Sequence, residues 1–212
     1  AFPNLRQNTA SFELAYGLVE RVEISIEAPL ISIFNAEDTN PRRVRGVGDA
    51  NFAVKYNFLR EREGSRMPAL TVSGNIEIPT GDVKRQLGSG IADYSVNCIA
   101  QKSLTERTVA RLNGGIIFSG NTVSGALGIR TRGTVLTGGA SLVRQFNARL
   151  HLGAEVTGAR TGKPDLGVDQ FQFQVGGNYT LRDNLSLDFG VVTGISTASP
   201  RVGVQFGFSF DF

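Results

Sequence analysis

The chain has 212 residues, with 22 Lys and Arg against 19 Asp and Glu and a net charge of +3. That near-balance, without any basic run interleaved with aromatics, gives no footing for nucleic-acid binding. The single cysteine, Cys98, excludes an internal disulfide and a cysteine-based zinc site, and no apolar run approaches the ~20 residues of a membrane helix.

Glycine is abundant at 26 residues, and strict alternation of apolar with polar or small residues recurs along almost the whole sequence. No stretch carries a helical period of useful length. Alternation at every second residue is the mark of a strand with one apolar face. Eleven such segments follow one another. The first has Phe12, Leu14 and Tyr16 on its apolar face, and the second Val22, Ile24, Ile26, Ala28 and Leu30. The third presents Ala50, Phe52, Val54, Tyr56 and Phe58, and the fourth Leu70, Val72, Gly74, Ile76 and Ile78. Tyr94 to Ala100, Ala110 to Phe118 and Leu136 to Leu142 continue the series, the last of these being the least regular. Leu150 to Val156, Phe171 to Leu181 and Leu185 to Ile195 follow, and the final segment runs Val202, Val204, Phe206, Phe208, Phe210, Phe212.

The connections alternate in length. "GLVER", "SLTER", "QFNAR" and "LRDN" are short, whereas "FNAEDTNPRRVRG", "TGDVKRQLGSG", "SGNTVSGALGIRTRG" and "ARTGKPDLG" are long. Short turns alternating with long loops, between strands long enough to cross the hydrocarbon layer, are expected of an all-β, antiparallel, up-and-down transmembrane β-barrel in a bacterial outer membrane. A lipocalin-like barrel or a β-sandwich also alternates. Against them stand the small residues on the polar faces and the aromatics gathered near strand ends, which suit interfacial girdles. The whole chain reads as one barrel domain. Bacterial barrels have an even strand count, so eleven segments predict a further strand ahead of Ala1 and a total of twelve. The absence of an apolar leader at Ala1 fits either a removed signal or a partial sequence.

If the apolar faces meet lipid, the alternate residues line the lumen. Glu13, Arg21, Glu23, Glu27, Asp49 and Lys55 fall on that face in the first half of the chain. Glu77, Asp93, Arg111, Asn113, Arg149, His151, Glu155, Asp188 and Asp211 follow in the second. Acids outnumber bases there. Such charges either pair into a network that fills the barrel or line a mildly cation-favouring path. Twelve strands lie between the filled eight and the open sixteen. The loops are basic, with Arg42, Arg43, Arg45, Lys84, Arg85, Arg130, Arg132, Arg160 and Lys163, a pattern suited to lipopolysaccharide phosphates or an anionic partner. A surface protein docked on the loops is the alternative, with the barrel as its anchor. No cofactor or metal set is evident. His151 is the only histidine and has no serine beside it on its face, which disfavours an enzyme.

Several stretches resemble a family of outer-membrane transporters named for the meta pathway of phenol degradation. They are "GVGDANFAVKYNF" (Gly46, Gly48, Asp49, Lys55, Tyr56), "PALTVSGNIEIPTGD" (Pro68, Leu70, Pro79, Thr80, Gly81, Asp82), "GSGIADY", "YGLVERVEISIEAPL" and "RLNGGIIF" with Asn113. In the fourth, Val19 and Glu20 replace the family's usual Thr and Asp. The resemblance implies a channel or transporter for small solutes, aromatic compounds by the family's name, without fixing a substrate. Phe208, Phe210 and the terminal Phe212 resemble the C-terminal assembly signal of bacterial outer-membrane proteins, which implies recognition by the barrel-insertion machinery.

Overall fold

The computed structural model describes residues 5–35, 42–119, 133–161, 169–196, 199 and 201–212. Its strands are β1 (Leu5–Val19), β2 (Val22–Asn35), β3 (Arg42–Val47), β4 (Ala50–Leu59), β5 (Ala69–Ile78) and β6 (Asp93–Thr105). β7 (Thr108–Ser119), β8 (Gly133–Gln145), β9 (Leu150–Thr161), β10 (Gln170–Arg182), β11 (Leu185–Gly194) and β12 (Val202–Phe210) complete the set. All twelve belong to one antiparallel sheet in which each strand pairs with its neighbour in sequence, except around β2.

There the loop-side half of β2 pairs with β3 and its turn-side half with β4. β3 and β4 are thus two halves of one strand, interrupted at Gly48–Asp49. This changes one expectation. The segment holding Arg42, Arg43 and Arg45 is strand, not loop, because Leu30–Asn35 offers it a full ladder of backbone partners. The twelve strands of the sheet include β3 as a separate piece beside β4. Among the described residues β1 pairs only with β2, and β12 only with β11.

The outward face follows the alternation. Phe12, Leu14, Tyr16, Phe52, Tyr56, Tyr94, Leu112, Leu136 and Val191 all stand exposed on it. Such a surface is untenable in water and suited to lipid, where apolar side chains face out and the polar face is enclosed. The sheet curls strongly, since residues from β6 through β12 line one common cavity. Among the described residues little is buried in the manner of a soluble core, and Leu87, at 3% exposed, is the most deeply covered apolar side chain.

The short connections form a tied collar. The β1–β2 turn is Glu20–Arg21, with Arg21 in the left-handed region at φ 79°. Arg60 of the β4–β5 turn pairs with Glu20 at 2.7 Å. In the same turn Glu61 takes the Lys102 ammonium of β6 at 2.6 Å and the Ser103 N–H at 3.0 Å. The Lys102 hydrogen bond, and after it the Ser103 N–H, hold the Glu61 carboxyl below the usual carboxylate range.

Candidate functional site: the lumen and its mouth

Register places the inward side chains in rungs across neighbouring strands. Glu13 lies opposite Glu27, Glu27 opposite Asn51, Asn51 opposite Glu77, and Glu77 opposite Asp93. Four carboxyl groups therefore share one belt, at the loop ends of β4, β5 and β6. Four residues along β2 toward the turns, Glu23 meets Lys55, and their side chains pair at 2.7 Å.

Just above the acidic belt the chain ties a knot. Asp49 accepts the Gly81 N–H at 2.9 Å on one oxygen and the Ser89 N–H at 2.6 Å on the other. The Thr80 hydroxyl donates to the Gly48 carbonyl at 2.8 Å and accepts the Ala50 N–H at 3.0 Å. These bonds draw residues 79–92 onto the junction of β3 and β4. Glycine is required here by contact. A Cβ on Gly46 would meet Leu87 Cδ1 at 2.5 Å, and one on Gly81 would meet the Leu87 carbonyl oxygen at 2.5 Å. The segment carries a 3₁₀ turn, Val83–Arg85, whose N–H groups at Lys84 and Arg85 are capped by Asp82. Lys84 and Arg85 stand exposed on it, in the loop where the sequence placed them.

The opposite wall holds a cavity of about 610 Å³, lined by Arg111, Asn113, His151, Glu155 and Asp188 among others. Five of the expected lumen residues therefore meet in one chamber. Asp188 accepts Asn178 Nδ2 at 2.8 Å and the Ser209 hydroxyl at 2.6 Å. Gln174 donates to Gln205 at 3.1 Å, and Arg111 donates to Gln101 at 2.7 Å. Among the described residues, Arg111, Glu155 and Asp188 take part in no ion pair. Among the described residues these three charges in the chamber are therefore outside any ion-pair network, whereas Glu23 and Lys55 pair on the other wall. His151 faces Gln145 on one side and Asn178 on the other.

Three expected lumen residues lie elsewhere. Arg21 sits in the β1–β2 turn, Arg149 in the β8–β9 turn where Asn147 caps its N–H, and Asp211 beyond the end of β12. Their parity is right, but the strands end before them. Arg43 and Arg45 pair opposite Phe34 and Ser32 and so share the outward face of β2 and β3. Arg160, expected in a loop, is on β9, 3.7 Å from Asp169. Arg130, Arg132 and Lys163 lie outside the described residues. Phe208 and Phe210 stand exposed on the outward face of β12, and Phe212 follows two residues after its end. The Asp49 knot was missed as an arrangement, although its Gly-x-Gly-Asp, Pro-Thr-Gly-Asp and Gly-Ser-Gly stretches were each visible.

The model of the family described as "Putative MetA-pathway of phenol degradation" matches residues 8–212. Among solved structures, the NanC porin superimposes with a TM-score of 0.68 at 8% identity, covering 99% of this chain and 97% of that one. An outer membrane channel from Pseudomonas putida F1 gives 0.64 at 18% identity, covering 96% of this chain and 81% of that one. No curated protein matches significantly. The lipid-suited outer face and the shared fold make the molecule an integral β-barrel of the bacterial outer membrane.

Proposed function

The chain belongs to that family, and from this premise we propose that it is a passive outer-membrane channel for small solutes. The observation that carries the reading is the chamber of about 610 Å³ on the inward face, where Arg111, Glu155 and Asp188 stand among apolar residues and glycines and, among the described residues, join no ion pair. Charged groups left hydrated in a confined space set ion preference. The acidic belt of Glu13, Glu27 and Glu77 at the loop-side mouth favours cations.

The test is conductance of the refolded barrel in planar bilayers. Discrete channels with cation preference are expected. Glu27→Gln and Glu155→Gln each move the cation-to-anion permeability ratio toward one. A folded, heat-resistant barrel that conducts nothing overturns the reading and favours the surface anchor.

For its surroundings we propose two contacts. Arg6, Arg43 and Arg45 stand exposed on neighbouring strands, with Arg6 and Arg43 flanking Phe34. Beyond Leu30 and Val47 this is where apolar outward residues give way to basic ones, the level of lipopolysaccharide phosphates. The outward aromatics Phe208, Phe210 and Phe212 present the last strand to the barrel-insertion machinery. Loss of lipopolysaccharide retention after Arg43→Ala with Arg45→Ala checks the first contact, and unchanged retention refutes it.

A further inference from the structure

The chamber wall contains a place where side chains stop. On the inward face Gly153 of β9 lies opposite Gly176 of β10, which lies opposite Gly190 of β11. Two residues toward the loops stand Glu155 and Gln174; two toward the turns stand His151, Asn178 and Asp188. At a strand rise of about 3.3 Å per residue, the two polar rungs lie about 13 Å apart. The Gln174–Gln205 amide bridge arches over the third glycine, since a Cβ on Gly190 would come 3.3 Å from Gln174 Nε2 and 3.8 Å from Gln205 Oε1. What remains is a niche with a backbone floor at Gly153 and Gly176, planar polar groups above and below it, the Gln174–Gln205 bridge on one side and Val143 on the other.

Those groups are held in place by one another, yet each keeps hydrogen-bonding capacity. After the internal bonds, Gln174 and Asn178 retain a carbonyl oxygen, Gln205 retains its NH₂, and each Asp188 oxygen retains a lone pair. Fixed donors and acceptors in this density suit a ligand that offers hydroxyl groups in every direction. They do not suit an aromatic hydrocarbon, which leaves them unpaired at a cost of about 1–3 kcal/mol each. Among the described residues the strand phenylalanines and tyrosines fall on the outward parity, Phe189 and Phe206 touch the edge of the chamber, and the ring turned into it is the imidazole of His151.

We propose that this glycine-floored niche is a binding subsite for a polyhydroxylated, sugar-like solute of one to two rings. The inference deepens the channel reading by naming the solute class, and it rests on that reading for its role in passage.

The full-length protein, folded in detergent, is tested with sucrose and benzyl alcohol as probes by ligand-observed saturation-transfer NMR. Binding of sucrose is expected, not displaced by benzyl alcohol. Asn178→Ala and Gln205→Ala should each weaken it about tenfold, the loss of about one well-placed hydrogen bond, in protein whose β-sheet circular dichroism is unchanged. Gln205 lies on β12 with a side chain facing open lumen, so its variant keeps the test valid if Asn178→Ala fails to fold. Sucrose that gives no transfer, that binds the variants equally well, or that yields to benzyl alcohol overturns the proposal. The bilayer measurement separates the two readings. Channels without sucrose binding sink the niche alone, and sucrose binding without channels sinks the channel alone.

Discussion

Asp49 uses both carboxylate oxygens on backbone N–H groups that lie 32 and 40 residues further along the chain. Hydrogen bonds to a charged group are worth about 1.5–3 kcal/mol each, so Asp49→Ala should lower unfolding stability by a few kcal/mol at most and free residues 79–92. Trypsin reads the second effect directly, because Lys84 and Arg85 are exposed on that segment; cleavage there should accelerate severalfold. Asp49→Asn should behave almost as badly, since an amide keeps one acceptor and turns its NH₂ toward the other N–H. Gly81→Ala should reach the same end by contact, its Cβ meeting the backbone of Leu87 and Gly88. At this scale the sequence was only partly legible. The motifs stood out, and turn chemistry accounts for some of their glycines. That three separate stretches converge on one carboxylate is a matter of tertiary register, which a period of two does not encode. The same blindness put Arg21 and Arg149 in the lumen, because alternation carries on past the residue where a turn begins.

The elements were the most legible level. Every alternating segment became a strand, and its apolar face became the exposed one, because a half-polar strand with lipid on one side has no other stable orientation. β12 gives a direct check. Phe206 is 77% exposed in the middle of that strand, and Phe206→Lys should cost about 2–4 kcal/mol if it lies near the bilayer midplane, read from urea unfolding in lipid vesicles. β3 was hidden because Arg-Arg-Val-Arg-Gly-Val reads as a basic loop, and only the unpaired half of β2 makes it a strand. The β4–β5 turn offers a pH test. The Glu61 carboxyl is held below its ordinary range by Lys102 and Ser103. Its stabilising share is therefore complete above the unfolded carboxylate range and is lost as pH falls through the lowered folded value. Glu61→Gln should therefore lower the urea midpoint at neutral pH and flatten its acid-side fall.

At the scale of the molecule, the two walls of the lumen differ. β1, β2, β4, β5 and β6 carry the acidic belt near the mouth, and β7 to β12 carry the glycine-floored chamber below it. On the proposed channel reading, a cation entering past Glu27 and Glu77 would meet a chamber with Arg111 and His151 beside Glu155 and Asp188, so selection at the entrance and selection inside would be separate. Removing belt acids should change ion preference while leaving sucrose binding intact, and Gln205→Ala should do the reverse. A double measurement on the two variants checks that independence. The sequence held the residue types for both walls. It could not hold their separation, because lateral rungs join residues from five strands that alternation treats one at a time.

The knot at Asp49 also constrains how the sequence can change. Gly46, Asp49, Gly81 and Gly88 are spread over more than forty positions, yet they occupy one volume, where a Cβ on Gly88 would meet the Asp49 carboxylate. Once Asp49 is lost, the segment carrying Leu87 is no longer held against Gly46 and Gly81. Substitutions at Asp49 and Gly81 should therefore be far from additive, the second costing little after the first. Drift at any one of these positions should relax the constraint on the others, so the four should change together among relatives of this chain.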